Sequence, residues 1–596
     1  MQEKARASIH WVNSHKILTF AVIGYGALAL GHIPLNVFRT LFDKNQAVQF
    51  ALTLFLATAL GMIAIRKSRA IALPKPVFGL GLALVLALFV SAIFSGSFFS
   101  SLTGDSFRYA GIASTLALAV IAIFHGLFTA ETFPKLIAGY LFVLFLTEVI
   151  AVLQFFNLVT MPGVPGNPAS TFGNLDFYSA YVGTSFPLIL FLYLKSARIG
   201  KQALIALALL SLICLRLTDA KQGYLDFLIA GVFVTGAVLY KQFNRTGEGE
   251  SFSIPVKTTI LTFALLLWLE FIFMVPFIGK ALPLIGTDPQ VAIRGVMWQA
   301  AVNQFKSQPF LGVGPDQYGS YYEHFRTVTS TIVLPGNSTN DAHSATVQTL
   351  ATTGIIGSLL FLLLIAFVIR ALLIIFERGT IGKSATLALG LYLFIYLTNA
   401  AISPIVLPHK YLFWAICGYL IFEANRNLNS ESESRTPQKF IVPAIALLAS
   451  FTLFIGSAFT YAQFNFMRWG ETHNSDVTAV QPVRVSKFIP CNVYYGSLSR
   501  YISPSGSDAL EALSRDQVAI NPRCQEAQKM LAILAYNRGD FKEMRKRVYI
   551  LIDLTPAQRE VLDIATLYAI KAGDTKLQEI VATQLARMGV KRIELD

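Results

Sequence analysis

Charge is scarce in this chain: 14% of its 596 residues are Asp, Glu, Lys or Arg, while 54% are hydrophobic and the mean hydropathy is +0.57. A soluble domain cannot carry so much apolar side chain on its surface, which excludes that class and leaves a polytopic membrane protein. A cleavable signal peptide is also missing. The first hydrophobic run, Ile17 to about Leu30, leads into GHIPLNVF and not into a small-residue cleavage site, so it is expected to stay as the first span. Cysteine is scarce, with four in the chain. Cys214 and Cys417 stand in apolar runs and read as core residues, whereas Cys491 and Cys524 both lie in the C-terminal part, where a disulfide could form if the compartment is oxidising, a pairing the sequence leaves open. No basic stripe interleaved with aromatics is present, so nucleic acid is not an expected partner despite the net charge of +14.

What is present is a series of apolar runs of roughly 17 to 25 residues, about thirteen in number. They centre near 17–35, 47–65, 77–95, 110–130, 136–156, 177–194, 202–216, 223–240, 258–278, 345–369, 384–402, 408–423 and 440–462. The expected fold is therefore all-α. RKSR (66–69), KSARIGK (195–201), KQFNR (241–245), RALLIIFER (370–378) and EANRNLNSESESRTPQK (423–439) fall on one side. With the N-terminus, that side holds roughly twenty Lys and Arg against about six in the short loops opposite, which makes it cytoplasmic. An odd number of spans then places the C-terminus outside. Much of the net charge reads as orientation anchors facing anionic lipid.

Two units are expected: a transmembrane domain over 1–463, with one long outer loop at about 279–343, and an extracytoplasmic helical domain over 464–596. The second lacks hydrophobic runs and contains a repeat. Pro522 and Pro556 are 34 residues apart, as are Gly539-Asp540 and Gly573-Asp574, and Ile533 corresponds to Leu567. That is the period of a tetratricopeptide hairpin. Such a tail offers a groove for a protein partner or packs as a cap on the outer face of the membrane domain.

The polar chemistry crowds the outer face. SSLTGDSFRYAGIAS (100–114), PGVPGNPASTFGNLDFYSAY (162–181), RLTDAKQGYLD (216–226) and the long loop ending at His343 each meet a span boundary. Arg108, Lys221 (with Arg216 nearby) and Arg294 put cations at helix ends on a side where positive charge is sparse, an arrangement suited to a phosphate-bearing lipid headgroup. Any one of them alone would read as an interfacial anchor. Gly166, Pro168, Gly173 and Asn174 supply turns that can bring backbone N–H groups to an anion. His343 stands where the loop enters the span NDAHSATVQTLATTGIIGSLL, and a helix N-terminus favours the neutral imidazole that a base needs. These loops hold no Asp-x-Asp pair and no His/Cys cluster, so no metal and no cofactor are expected. His324 reads as an exposed loop histidine. Glu148, Glu270 and His125 fall inside spans and are expected to face the bundle interior, paired or protonated.

At this point the set resembles the O-antigen ligase-related polytopic glycosyltransferases, which include O-antigen ligases, protein O-oligosaccharyltransferases and polysaccharide polymerases. FRYAG follows the third span, STFGNLDFYSAY resembles the family's Gly-Thr-Phe-Gly-Asn-Pro-Asn segment, and TDAKQG stands at its Thr-x-Ser-Arg-Gly. RGVMWQAAVNQFKSQPFLGVGPDQY resembles Arg-x-x-x-Trp followed by Pro-x-x-Gly-x-Gly, and AHSATVQTLATTGIIG resembles His-Asn-x-x-Leu-x-x-x-x-Glu-x-Gly-x-x-Gly. The likeness covers roughly residues 95–425. The chain departs at Lys221, where the family has arginine, at Ser344, where asparagine is common, and at Thr352, in place of an acidic residue. A point charge thus replaces a bidentate fork at Lys221.

The resemblance implies a GT-C-like fold and a multi-pass protein of the cytoplasmic membrane. It implies transfer of a glycan from an isoprenyl (undecaprenyl) diphosphate carrier to a glycolipid, glycan or protein acceptor. Arg108, Lys221 and Arg294 would bind the diphosphate, His343 would be the base, and Asp341 would orient it from a loop or cap geometry. Ligase, polymerase and protein glycosyltransferase remain open. A transporter or flippase would place its charges near the midplane in two related halves, and a repeat scaffold would need one span, not about thirteen.

Overall fold

The structure, a computed structural model, describes residues 2–31, 45–68, 71, 73–105, 108–159, 168–243, 289–333, 339–428, 438–472 and 507–588. Every regular element among them is a helix. In hydrocarbon a chain must satisfy its own backbone groups, and long apolar runs do so as helices. Eight described helices are long and apolar enough to cross a membrane, among them Lys75–Phe94, Phe133–Phe155, Leu175–Lys195, Ala345–Arg378 and Lys383–Ile402. Of the other expected spans, three appear as the shorter apolar helices Lys16–Ala29, Ile112–His125 and Gln222–Val234. One is the more polar helix Leu407–Leu428, and the run at 258–278 lies outside the described residues, as does Glu270.

The bundle interior is aromatic and selectively polar. Tyr25 donates a hydrogen bond to Tyr181 at 2.7 Å and packs against Tyr140 and Tyr411 at ring distances of 4.6 and 5.2 Å. His125 bonds the Ile121 carbonyl and the Tyr140 hydroxyl, and Glu148 accepts from Ser211 at 2.5 Å. Asn399 joins three helices, donating to Asp226 at 2.7 Å and Thr184 at 3.0 Å while accepting from Gln222 at 2.8 Å. Buried polar groups in lipid need such partners. Cys214 and Cys417 are free and buried, and Cys524 is disulfide-bonded. Cys491 lies outside the described residues.

The helix Ala345–Arg378 is broken at Gly354, whose φ of 63° and ψ of −167° are not helical. The break frees backbone groups, and the segment 309–314 takes them up. Val313 N–H donates to the Ala351 carbonyl at 3.0 Å, Gly314 N–H to Thr352 at 2.9 Å, and Ile355 N–H to Pro309 at 2.8 Å. The two chain segments touch so closely that a Cβ on Gly312 (φ 68°) would sit 2.3 Å from the Thr352 carbonyl carbon. The Pro-x-x-Gly-x-Gly stretch is therefore a splint across a kinked span.

Beyond the bundle, the hairpins Gln525–Asn537/Phe541–Leu554 and Arg559–Ala572/Thr575–Arg587 repeat with an offset of 34 residues. Asp540 and Asp574 cap the second helix of each, accepting from Glu543 N–H and Leu577 N–H. Ile533 and Leu567 are exposed, at 39% and 54%, so the inner face is carried instead by Ala535 and Ala569, both 0% exposed. The hairpins rest on the long loop. Arg523 stacks on Tyr321 at 3.8 Å and donates to the Ser320 carbonyl, and Ser97 donates to Asn521 at 2.9 Å. His324, expected to be an exposed loop residue, is instead half-buried in the helix Tyr318–Phe325 and bonds the Asp553 carbonyl.

Candidate functional site

His343 ends the long loop one residue before the capping residue of the kinked helix. Ser344 Oγ accepts from Val347 N–H at 3.3 Å, the role the family's asparagine would fill equally well. His343 itself holds a left-handed φ of 52°, uncommon for a residue with a side chain and stabilised here by Asp341, whose Oδ1 accepts the His343 N–H at 2.6 Å. Asp341 thus grips the backbone of the histidine. Its other oxygen lies 3.5 Å from Arg108 Nε in an ion pair that leaves this buried N–H without a hydrogen bond. The Arg108 guanidinium also lies over the Phe177 ring at 4.8 Å.

Burial pushes the His343 imidazole below its ordinary pKa; Asp341 and Asp176 oppose this, whereas Arg108 and Arg294 add to it. The imidazole is therefore neutral near pH 7. The same interactions place Arg294, from the helix Pro289–Ser307, and Arg108 within electrostatic reach of one ring. Four of the five sequence-identified residues, Arg108, Arg294, Asp341 and His343, consequently share one site. The fifth, Lys221, is the first residue of the helix Lys221–Phe243; its side chain is outside the described residues, as is Gly166. Thr352, standing where the family has an acid, turns its hydroxyl back onto the Gln348 carbonyl at 2.8 Å.

The site contains groups that the sequence pattern did not mark. Asp316, buried beside the Arg108 loop, accepts from Asp105 N–H at 2.8 Å and Ala110 N–H at 2.9 Å. Burial and the nearby Asp105 carboxylate raise its pKa to about 7, against the pull of those N–H donors and of Lys410. Lys410 stands near the start of the helix Leu407–Leu428, and Asp105 accepts from Asn340 at 2.7 Å. Lys410 carried the same signal as the other cations, a charge at a span boundary. Asp316 carried none beyond following the Gly-x-Gly of the splint. Among the described residues, no group of three or more His, Cys, Asp or Glu side chains is placed to hold a metal ion.

A half-buried neutral imidazole, cations on two separate elements and a carboxylate tying one cation to the imidazole's backbone can accept a proton beside a bound anion. No curated protein matches the chain. Residues 179–362, which include Lys221, Arg294, the splint, His343 and the kink, match the family described as O-antigen ligase. Over that segment the chain is similar to the O-antigen ligase-related family, a likeness that supports membrane glycan transfer of the ligase or polymerase kind.

Proposed function

We propose that this protein moves a glycan from an isoprenyl diphosphate carrier to an acceptor hydroxyl at the outer face of the cytoplasmic membrane, as an O-antigen ligase does. The observation that carries the reading is the placement of His343 at the mouth of a span, gripped by Asp341, which is itself ion-paired to Arg108, with Arg294 in electrostatic reach and burial favouring the neutral imidazole. The acceptor oxygen attacks the anomeric carbon as its proton passes to the imidazole. The bond from that carbon to the carrier oxygen breaks, and the electron pair leaves with the diphosphate. Arg108, Lys221 and Arg294 meet the charge that develops there, which preorganised cations do well in a dry site. Asp341 holds the base in place through its backbone. The cations take the part a divalent ion would otherwise play, so the reaction runs without metal.

The experiment is reconstitution of the purified full chain with an isoprenyl diphosphate-linked glycan and acceptor, with chelator present. Glycan transfer with stoichiometric release of isoprenyl diphosphate supports the reading. Movement of intact donor between leaflets without its cleavage would identify a flippase instead, and abolition by chelator would overturn the metal-free mechanism.

A further inference from the structure

Two buried residues outside the proposed catalytic set join its parts. Asp316 and Gln348 are 6% and 8% exposed. Asp316 Oδ2 takes the N–H groups of Asp105 and Ala110, on either side of Arg108. Its Oδ1 takes Gln348 Nε2 at 3.4 Å, and Gln348 Oε1 takes the Ala342 N–H, immediately before His343, at 2.8 Å. Asp341, two residues before His343, closes the ring back to Arg108. Arg108 and His343 are thus tied twice, directly through Asp341 and indirectly through Asp316 and Gln348.

We infer that Asp316 and Gln348 are a pair of positioning residues that set the separation between the diphosphate-binding Arg108 and the base His343. The inference rests on the glycan-transfer reading above.

Donor and acceptor parity makes the pair specific. Asp316 meets three donors and, ionised, accepts from all three, while Gln348 needs its NH₂ toward Asp316 and its oxygen toward Ala342. Asp316→Asn breaks this parity. With the asparagine oxygen on the two loop N–H groups, its NH₂ faces the Gln348 NH₂. Turning Gln348 relieves that clash but aims its NH₂ at the Ala342 N–H, beside the base. Gln348→Glu breaks parity in the opposite sense by setting two carboxylates face to face. Asp316→Asn with Gln348→Glu restores every bond, since the asparagine donates to one glutamate oxygen and Ala342 N–H donates to the other. Protonation of Asp316 would likewise satisfy the carboxylate that Gln348→Glu introduces. The other charged groups acting on Asp316 are Asp105 on the Arg108 loop and Lys410 on the helix Leu407–Leu428.

The test measures kcat and KM for transfer by the full-length chain across pH 6 to about 9. Asp316→Asn and Gln348→Glu each lower kcat by up to about 100-fold, as small misplacements of reacting groups do. The double variant recovers most of that loss. Gln348→Glu alone regains activity relative to wild type as pH falls, whereas Asp316→Asn does not. If Asp316→Asn fails to insert, recovery of folded, active protein in the double variant is read in the same way. Wild-type kcat in both single variants, or a double variant no better than the product of the singles, overturns the inference, provided His343→Ala has lost transfer. Full transfer by His343→Ala overturns the base assignment and the inference together.

Discussion

Arg294 and Arg108 differ in what holds them, and that difference decides how each tolerates substitution. Arg108 is fixed by Asp341 and by the face of Phe177, so its planar fork is used in packing as well as in charge. Arg294 reaches the site from the helix Pro289–Ser307 and acts there through its charge. Arg294→Lys should therefore keep much of the donor interaction and Arg294→Ala should lose it, a contrast seen as a larger rise in KM for the lipid-linked donor in the alanine variant. Unchanged donor binding in Arg294→Ala would reduce the residue to an interfacial anchor. Arg108, Asp341 and His343 were legible because each stands at the edge of an apolar run, where a charge is conspicuous, and Arg294 was legible through the likeness of RGVMW to Arg-x-x-x-Trp. Asp316 was not, since its partners Asp105 and Ala110 are 211 and 206 residues away and no local pattern marks it.

At the scale of elements, the splint across the kinked helix explains two glycines that sequence periodicity treats as incidental. The apolar run at 345–369 reads as one straight span, and a lone glycine inside a helical pattern is ambiguous. Only the structure shows the chain breaking at Gly354 and the segment 309–314 filling the gap. Gly312→Ala adds left-handed strain to a collision with the backbone of Thr352 and Thr353, and should destabilise the protein by about 2 to 5 kcal/mol. Gly379 is also left-handed, at φ 66°, but nothing lies within 4 Å of where an added methyl group would sit, so Gly379→Ala should lose only the strain, about 1 to 2 kcal/mol. Thermal unfolding in detergent compares the two. Equal losses would mean that the splint yields at no cost and does not hold the His343 helix in register.

For the whole molecule, hydropathy made the class and most spans legible, because lipid tolerates few departures from a long apolar helix. The shorter helices Ile112–His125 and Gln222–Val234 were harder to size, since polar outer-face segments adjoin them. The docking of the C-terminal hairpins on Tyr321 and His324 left no trace in composition, because it depends on single side chains and backbone carbonyls. The orientation proposed from loop charge has a direct check. A reporter active only outside the cytoplasm should give signal when inserted at Gln317 or fused after Phe464, and none at Asn429, which lies outside the described residues. Signal at Asn429 with silence at Gln317 would invert the topology and move His343 to the wrong face. The most direct measurement is turnover of purified isoprenyl diphosphate-linked glycan by His343→Ala and His343→Gln, followed against pH. The imidazole pKa is lowered, so the base form persists as pH falls, and loss of the base itself should begin only below the ordinary imidazole value of about 6.5. Both variants should lose about 10²- to 10⁴-fold in kcat while remaining inserted, because glutamine keeps a polar side chain of similar reach but cannot take the proton. Near wild-type turnover in both would contradict the account.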